Sequence, residues 1–233
     1  MPGVFGPDQL PPRVRRAVSD VVHRVWDWIG AVAIVAPDDA RGRRFRSMGR
    51  GSSIAFPPGA VYGEGGISIG AGAMIGPYVS LAVGMPGEAV RRDAPPVISI
   101  GDRCSIGRSS SIIGRIGIEI GDDVTTGPNV YITDHNHTYD DVSVPIVRQW
   151  PADAPVRIGA GSWLGAGSVI LPGTRLGANV AVAAGAVVRG TVPDYAVVAG
   201  VPAKVVRRYV EGEGWTPPLG PRSVRAPEGW VAR

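Results

Sequence analysis

Aliphatic residues recur at every sixth position through much of the chain. The longest uninterrupted run consists of Ile158, Leu164, Ile170, Leu176, Val182 and Val188. A glycine usually follows each aliphatic residue, and a small or β-branched residue stands four positions after it. A period of six fits neither the 3.6-residue period of an α-helix nor a heptad repeat. It predicts short strands that each point one aliphatic side chain inward and are separated by tight turns.

The same register appears in three earlier segments of the chain. These are Ile69, Ile75 and Leu81; Ile100, Ile106 and Ile112; and Ile120, Thr126 and Ile132. Three such strands close a triangular circuit, and successive circuits stack about 4.8 Å apart. The pattern therefore predicts an all-β solenoid with one continuous core, because each circuit supports its neighbours.

The register is interrupted at three places. Long insertions occupy residues 82–99 and 133–157, and two extra residues enter between Ile112 and Ile120. Each insertion falls between circuits, so we expect each to leave the body at a corner. Insertions in repeat proteins usually lie on the binding face. The second long insertion is therefore the first place to look for chemistry.

The two ends of the chain do not follow the repeat. Residues from Pro12 to about Val35 place most of their aliphatic side chains on one helical face, which predicts a helix that packs on the solenoid and covers its open end. The proline-rich tail from Glu211 is expected to be irregular, with Trp215 and Trp230 as anchors. The expected organisation is a helix and basic connector in 1–50, the repeat domain in 51–208, and an extension in 209–233.

Composition narrows the class of protein. The 233 residues contain 44% hydrophobic residues, a net charge of +4 and one cysteine. A single cysteine excludes an intramolecular disulfide framework and favours a cytoplasmic protein, with Cys104 in the core. The apolar run near the N-terminus is too short for a transmembrane segment. Arginines cluster between Arg41 and Arg50 without a nucleic-acid-binding motif, so we expect no nucleic-acid partner.

The segment from Thr133 to Asp141 holds the candidate chemistry. It contains His135 and His137, two of the three histidines in the chain. A neutral imidazole can take a proton from a hydroxyl group near neutral pH. Asp134 or a backbone carbonyl group could fix the tautomer of that imidazole.

The repeats, this histidine segment and the sequence Ala-Gly-Val-Pro-Ala-Lys-Val-Val at 199–206 together resemble the hexapeptide-repeat acyltransferases. Similar members are the galactoside, maltose and antibiotic O-acetyltransferases and the sugar acetyltransferases of polysaccharide synthesis. The resemblance extends from about Phe45 to Tyr209. It implies a left-handed parallel β-helix, an exception to the usual right-handed crossover. It also implies a homotrimer that binds acyl-CoA in the groove between two subunits.

The resemblance assigns catalytic roles to His135 and Ala166. His135, rather than His137, matches the general base that deprotonates an acceptor hydroxyl group for direct attack on the thioester, with Asp134 beside it. The backbone N–H of Ala166 would stabilise the oxyanion. No covalent acyl-enzyme and no metal ion are required.

Four further residues match positions that contact coenzyme A in the family. Trp163 would flank the thiol end, and the backbone of Ala184 would contact the pantetheine arm. Lys204 and Arg207 match the region that binds the 3′-phosphate, and Arg189 could contribute more loosely. Cationic side chains suit this role because they form charge-assisted hydrogen bonds with phosphate groups.

The acceptor site departs from the pattern of the galactoside enzymes. The Asn and Asp that hold the sugar there are absent from the corresponding stretch around Arg108, Ser109 and Arg115. A galactoside is therefore disfavoured. These three residues, with Asn129 and His137, could hold a different polyol or an acidic sugar.

The sequence thus favours an acyl-CoA-dependent O-acyltransferase that acts on a hydroxyl group of a sugar, a glycoside or a polysaccharide precursor. Acetyl is the default acyl group, although a longer chain such as octanoyl is compatible. N-acetylation of an amino sugar is an adjacent alternative. A zinc lyase of the γ-type carbonic anhydrase class is disfavoured, because it needs three histidine ligands and the candidate segment holds only His135 and His137. A non-catalytic scaffold is also disfavoured, because it would not explain why His135 occurs together with a C-terminal sequence that resembles a CoA site.

Overall fold

The structure is a computed structural model of the chain, and it describes residues 10–84 and 93–218. Three parallel sheets form its body, and the chain visits them in rotation. The first sheet contains β1 (Ser47–Met48), β4 (Ile67–Ile69), β7 (Ile98–Ile100), β10 (Ile118–Ile120), β15 (Val156–Ile158), β18 (Arg175–Leu176) and β21 (Thr191–Val192).

The second sheet contains β2 (Ser53–Ile54), β5 (Met74–Ile75), β8 (Ser105–Ile106), β11 (Thr125–Thr126), β16 (Trp163–Leu164), β19 (Ala181–Val182), β22 (Ala196–Gly200), β23 (Ala203–Val210) and β24 (Gly214–Thr216). The third sheet contains β3 (Val61–Tyr62), β6 (Ser80–Val83), β9 (Ser111–Gly114), β12 (Tyr131–Thr133), β17 (Val169–Ile170) and β20 (Val187–Val188). One passage through the three sheets is called a circuit below.

The strand register confirms the six-residue period. Ile120 pairs with Ile158, and Ile158 pairs with Leu176, so aliphatic residues of successive circuits stack directly on one another. These side chains are buried, as are the small residues four positions later such as Ser162 and Ala186. Cys104 is also buried, as expected. The alternation of inward aliphatic and outward polar side chains thus produces one core between the three sheets.

Close stacking of the circuits explains the glycines at their corners. A Cβ atom on Gly159 would lie 2.3 Å from the carbonyl oxygen of Gly177 in the next circuit. Such a contact is far inside van der Waals distance, so no larger side chain fits at this corner unless the circuits separate. Glycine is therefore required here by the spacing between circuits.

The N-terminal helix α1 (Pro12–Val32) confirms the predicted helix, but the prediction that it covers the open end of the body is wrong. None of its residues is buried. The first circuit is covered instead by Val35, which forms an isolated antiparallel bridge with Ile54, and by Phe45. The apolar face of α1 therefore does not cap the body. Among the described residues, no helix has both the length and the apolar character needed to cross a bilayer.

The expected irregular tail is also partly wrong. Strand β23 reverses direction after β22, and β24 pairs antiparallel with β23. Gly212 and Gly214 adopt positive φ angles that allow this second reversal. Trp215 packs edge-on against Tyr209, with ring centroids 5.9 Å apart, which accounts for the anchoring role expected of it. Trp230 and residues 85–92 of the first long insertion lie outside the described residues.

Candidate functional site

The second long insertion forms a hairpin rather than an open loop. Strand β13 (His135–Asn136) pairs antiparallel with β14 (Ala152–Asp153), and His135 lies opposite Asp153. The amide of Ala154 donates to the carbonyl oxygen of Asp134 at 2.7 Å and closes the base of the hairpin. This pairing fixes the backbone of His135 where the chain leaves the third sheet.

Asp134 is a fully buried carboxylate at the start of this hairpin, with 0% of its surface exposed. Its Oδ2 atom accepts hydrogen bonds from the amides of Ile116 and Gly117 at 2.7 Å each. The amide of Arg115 is shared between Oδ1 at 2.9 Å and Oδ2 at 3.0 Å. These three amides belong to the three-residue turn 115–117 between β9 and β10, which contains the two-residue insertion. Three backbone donors offset the cost of burying the charge, so the short insertion explains how the carboxylate is held.

His135 contacts this carboxylate directly. Its Nδ1 atom lies 3.0 Å from Asp134 Oδ1 and 3.2 Å from Thr133 Oγ1, and its side chain is 25% exposed. An ionised carboxylate only accepts hydrogen bonds, so the Nδ1 atom carries the proton of the neutral ring. The Nε2 atom then has a free lone pair. The arrangement can therefore accept a proton from a substrate hydroxyl group.

A second charged group lies next to this pair. Arg115 Nη1 is 3.4 Å from Asp153 Oδ1, so the two side chains form an ion pair without a hydrogen bond between these atoms. The Arg115 guanidinium lies 5.0 Å from the ring centroid of Trp150. Trp150 is 78% exposed, and its carbonyl oxygen accepts a hydrogen bond from Thr138 Oγ1 at 2.7 Å. Sequence reasoning identified Arg115 but missed Asp153, Trp150 and Thr133.

The outer part of the hairpin is held by polar contacts of its own. The hydroxyl group and the amide of Ser143 donate to Asp141 Oδ1 at 2.6 and 2.9 Å. These two hydrogen bonds lower the pKa of Asp141 below its ordinary value. Gln149 donates to the carbonyl oxygens of Asp141 and Val144. The hairpin is therefore internally cross-linked, while His137 near its base is exposed.

Five other predicted residues lie on a different edge of the body, where the second sheet passes into the third. Backbone hydrogen bonds connect them from circuit to circuit: Asn129 N–H to Arg108 O at 3.0 Å, and Gly185 N–H to Ala166 O at 2.9 Å. The residues on this edge are Arg108, Ser109, Asn129, Ala166 and Ala184, all placed in turns between strands of the two sheets.

His135, Asp134 and Arg115 lie instead on the edge where the third sheet passes into the first. Asn129 and Asp134 are five positions apart in the chain, which corresponds to about 16 Å of extended backbone. Within one chain, the structure therefore brings together Asp134, His135 and Arg115, but it does not bring the Ala166 amide to the same edge. Arg189 follows β20 and so lies on the His135 edge, two strands further along the third sheet.

Trp163 and the C-terminal cations share the second sheet. Trp163 pairs with Ala181, Ala181 with Val197, and Val197 with Arg207. Three strand spacings separate Trp163 from Arg207, a distance of about 14 Å. Lys204 is opposite Ala199 in the same strand pair and is exposed. An aromatic side chain and two cations therefore lie along one outer face.

Histidine, cysteine and carboxylate groups are not clustered for metal binding in the part of the chain that the structure describes, where no group of three or more of them could hold an ion. His23 lies on α1, where its Nδ1 atom is 2.8 Å from the carbonyl oxygen of Ser19. The three-histidine arrangement of a zinc lyase is therefore not present among these residues.

Two hexapeptide sequence profiles match the repeats. "Bacterial transferase hexapeptide (six repeats)" matches residues 155–190, and "Hexapeptide repeat of succinyl-transferase" matches residues 97–134. An acetyltransferase of Mycobacterium tuberculosis is 41% identical over 110 residues, which is 47% of this chain but only 37% of that protein. The chain thus spans well under half of that relative.

WbbJ of Escherichia coli, named as a lipopolysaccharide biosynthesis O-acetyl transferase, is 35% identical over 132 residues, which cover 53% of this chain and 67% of WbbJ. Among solved structures, the N-acyltransferase AntD of Bacillus cereus, in complex with dTDP and 3-hydroxybutyryl-CoA, superposes with a TM-score of 0.63. It is 20% identical over 75% of this chain and 89% of AntD, and it supports the fold alone. By its repeats, its sheets and its similarity to WbbJ, the chain belongs to the hexapeptide-repeat acyltransferases.

Proposed function

We propose that the protein is an acyl-CoA-dependent O-acyltransferase that transfers an acyl group, acetyl by default, to a hydroxyl group of a sugar, a glycoside or a polysaccharide precursor. The single observation that carries this proposal is the contact between His135 Nδ1 and the buried Asp134 carboxylate. That contact orients the imidazole with its basic Nε2 atom free. The names of the relatives support the transferred group and the sugar class of the acceptor.

In the proposed reaction, His135 Nε2 takes the proton of the acceptor hydroxyl group, and the oxygen of that hydroxyl group attacks the thioester carbonyl carbon. The Ala166 amide donates to the oxyanion that forms. Collapse of the tetrahedral intermediate breaks the C–S bond, and the CoA sulfur takes the proton from the imidazolium. The buried charge of Asp134 stabilises the imidazolium between these steps. No covalent acyl-enzyme forms.

We further propose that the three sheets form a left-handed parallel β-helix and that three copies assemble into a homotrimer. The proposal rests on the placement of Ala166 and His135 on different edges of one chain. In a trimer, the His135 edge of one copy meets the Ala166 edge of its neighbour, and both contribute to one site. Acyl-CoA would then lie along the second sheet, with its thiol end at Trp163 and Ala184 and its phosphates at Lys204 and Arg207.

We place the acceptor beside His135, where Arg115 and the exposed ring of Trp150 lie. An exposed aromatic ring can stack on the apolar face of a sugar. Asn129, Arg108 and Ser109 would approach the acceptor from the neighbouring copy. His137 and Arg189 would lie at the margins of the acceptor and CoA sites respectively.

The test is release of free CoA by the purified protein from acetyl-CoA and octanoyl-CoA, measured with sugars, glycosides and matched amino sugars. We expect acceptor-dependent release that the His135→Ala substitution abolishes. His23→Ala is the matched control, because His23 lies on α1 away from the hairpin, and it should retain full activity. Release only with amino sugars would identify an N-acyltransferase. No release and no binding of CoA would refute the proposal.

A further inference from the structure

The helix α1 has a continuous apolar face that the described part of the chain leaves uncovered. Val14, Val18, Val21, Val25 and Val32 form one stripe along it, and each is between 45% and 60% exposed. A ring contact between Trp26 and Phe56, with centroids 6.3 Å apart, links the helix to the body. Exposure of so long an apolar stripe indicates a binding surface.

The charged residues of α1 have a distinct arrangement around this stripe. At 100° per residue, Arg13, Arg16, Asp20 and Asp27 lie on the opposite face, together with His23. Arg15 and Arg24 lie at the two borders between the polar and apolar faces.

Border arginines can place their aliphatic stems along an apolar surface while the guanidinium groups stay in water. Trp26 and Trp28 lie near the same two borders, and tryptophan favours the boundary between lipid and water.

The N-terminal region also holds the excess positive charge of the protein. Residues 12–50 contain nine arginines and four aspartates, a net charge of +5, whereas the whole chain carries +4. Arg41 and Arg50 are exposed. Their segment adjoins the first circuit, where Val35 joins Ile54. The apolar stripe and the positive charge are thus at the same end of the fold.

We propose that α1 is an interfacial helix that binds the surface of an anionic lipid bilayer. Strong amphipathicity, arginines around the polar face and tryptophans at the borders are the features of helices that lie in the plane of a membrane surface. The helix is about 31 Å long. Its valine stripe enters the acyl boundary, while the arginines of residues 12–50 contact lipid phosphates.

Other occupants fit these observations less well. Nucleic acid would use the arginines but leave the valine stripe exposed to water. A second copy packed on the stripe would bring together the border arginines of two helices, and like charges at short distance repel each other. The inference places the protein at a membrane surface and does not depend on the proposed transfer reaction.

The test is flotation of the full chain with phosphatidylcholine vesicles that contain about 30% phosphatidylglycerol, beside vesicles of phosphatidylcholine alone. We expect binding to the anionic vesicles only, weakened by salt. The double substitution Val21→Asp with Val25→Asp should reduce binding at least ~10-fold, because it places charge in the apolar stripe. Ser19→Asp with His23→Asp, on the polar face, adds the same charge and should retain most of the binding.

Thermal unfolding checks that both variants keep the fold, which we expect because α1 has no buried residue. Quenching of Trp28 fluorescence by brominated lipid, lost in Trp28→Phe, gives a second readout. The proposal fails if the wild-type protein does not float, if it floats equally with neutral vesicles, or if both double variants lose binding to the same extent. The proposal also fails if the wild-type protein does not bind vesicles and only the valine double variant changes the oligomeric state, because the stripe would then bind a second copy.

Discussion

Replacement of Asp134 by asparagine tests the proposed site most directly. The amide oxygen of asparagine can replace Oδ2 and still accept from Ile116 and Gly117, but the NH2 group must then face the Arg115 amide and His135 Nδ1. To accept from that NH2 group, the imidazole must move its proton to Nε2. The ring then has no lone pair for the acceptor hydroxyl group.

The expected magnitudes follow from these contacts. A hydrogen bond to a charged group contributes about 1 kcal/mol more than a neutral one. Three amide donors therefore predict a loss of about 3 kcal/mol, or a Tm lower by about 6–12 °C. Inversion of the tautomer in another Asp–His pair lowers kcat by about 10⁴-fold, and we expect a loss of about 10³- to 10⁴-fold here, at a temperature where the variant is folded.

The assay is CoA release under saturating acceptor, with thermal unfolding of the same samples. Asp123→Asn is the matched control, because Asp123 is an exposed carboxylate that pairs with Arg103 on another edge of the body. Its positive φ angle is one that asparagine tolerates. We expect it to retain activity. A folded Asp134→Asn protein with kcat near that of the wild type would refute the role given to this carboxylate.

Three further predictions concern the core and the cofactor. Gly159→Ala should prevent folding or lower Tm by more than ~10 °C, because the new Cβ atom would collide with Gly177. Gly51→Ala, at a positive φ with open space around it, should lower the free energy of unfolding by only about 1–2 kcal/mol. Equal Tm values for the two variants would contradict the argument from circuit spacing. Burial raises the pKa of the Cys104 thiol, so the folded state holds this proton more tightly than the unfolded state. The stability that this protonation contributes is present below the ordinary thiol pKa and is lost as pH rises through the folded-state pKa. The native protein should therefore resist thiol reagents at pH values below the folded-state pKa. Rapid labelling of Cys104 at neutral pH would contradict this prediction. Arg207→Ala should raise the KM for acyl-CoA at least ~10-fold with little change in kcat, and an unchanged KM would remove Arg207 from the cofactor site.

The repeat made the sheets predictable from sequence. One inward aliphatic residue per strand fixes which face is buried, and the period of six fixes which residues stack, so Ile120, Ile158 and Leu176 could be aligned without coordinates. The edge assignment was available too. Ala166 follows a second-sheet strand and His135 follows a third-sheet strand, so the register alone indicates that they lie on different edges.

The contacts around His135 were harder to predict from the sequence. Asp134 is adjacent in sequence, but Asp153 and Trp150 approach through the antiparallel register of a hairpin that has no hydrophobic period. The two-residue insertion before Ile120 was visible, yet only its backbone shows that three amides converge on a carboxylate. The helix α1 was predicted from its apolar face, but that pattern does not state what covers the face, and the predicted cap was wrong.

The reversal of direction at the C-terminus also affects the solubility of the fold. A parallel sheet that ended at β22 would present unpaired amides and carbonyl groups to any similar strand, including the first strands of another copy. Strand β23 occupies that edge in the opposite direction, β24 adds only three residues, and Pro217 after Thr216 has no amide to continue the ladder. The hairpin therefore acts as a stop against end-to-end polymerisation, and its removal should make the protein form fibres or precipitate rather than merely lose stability.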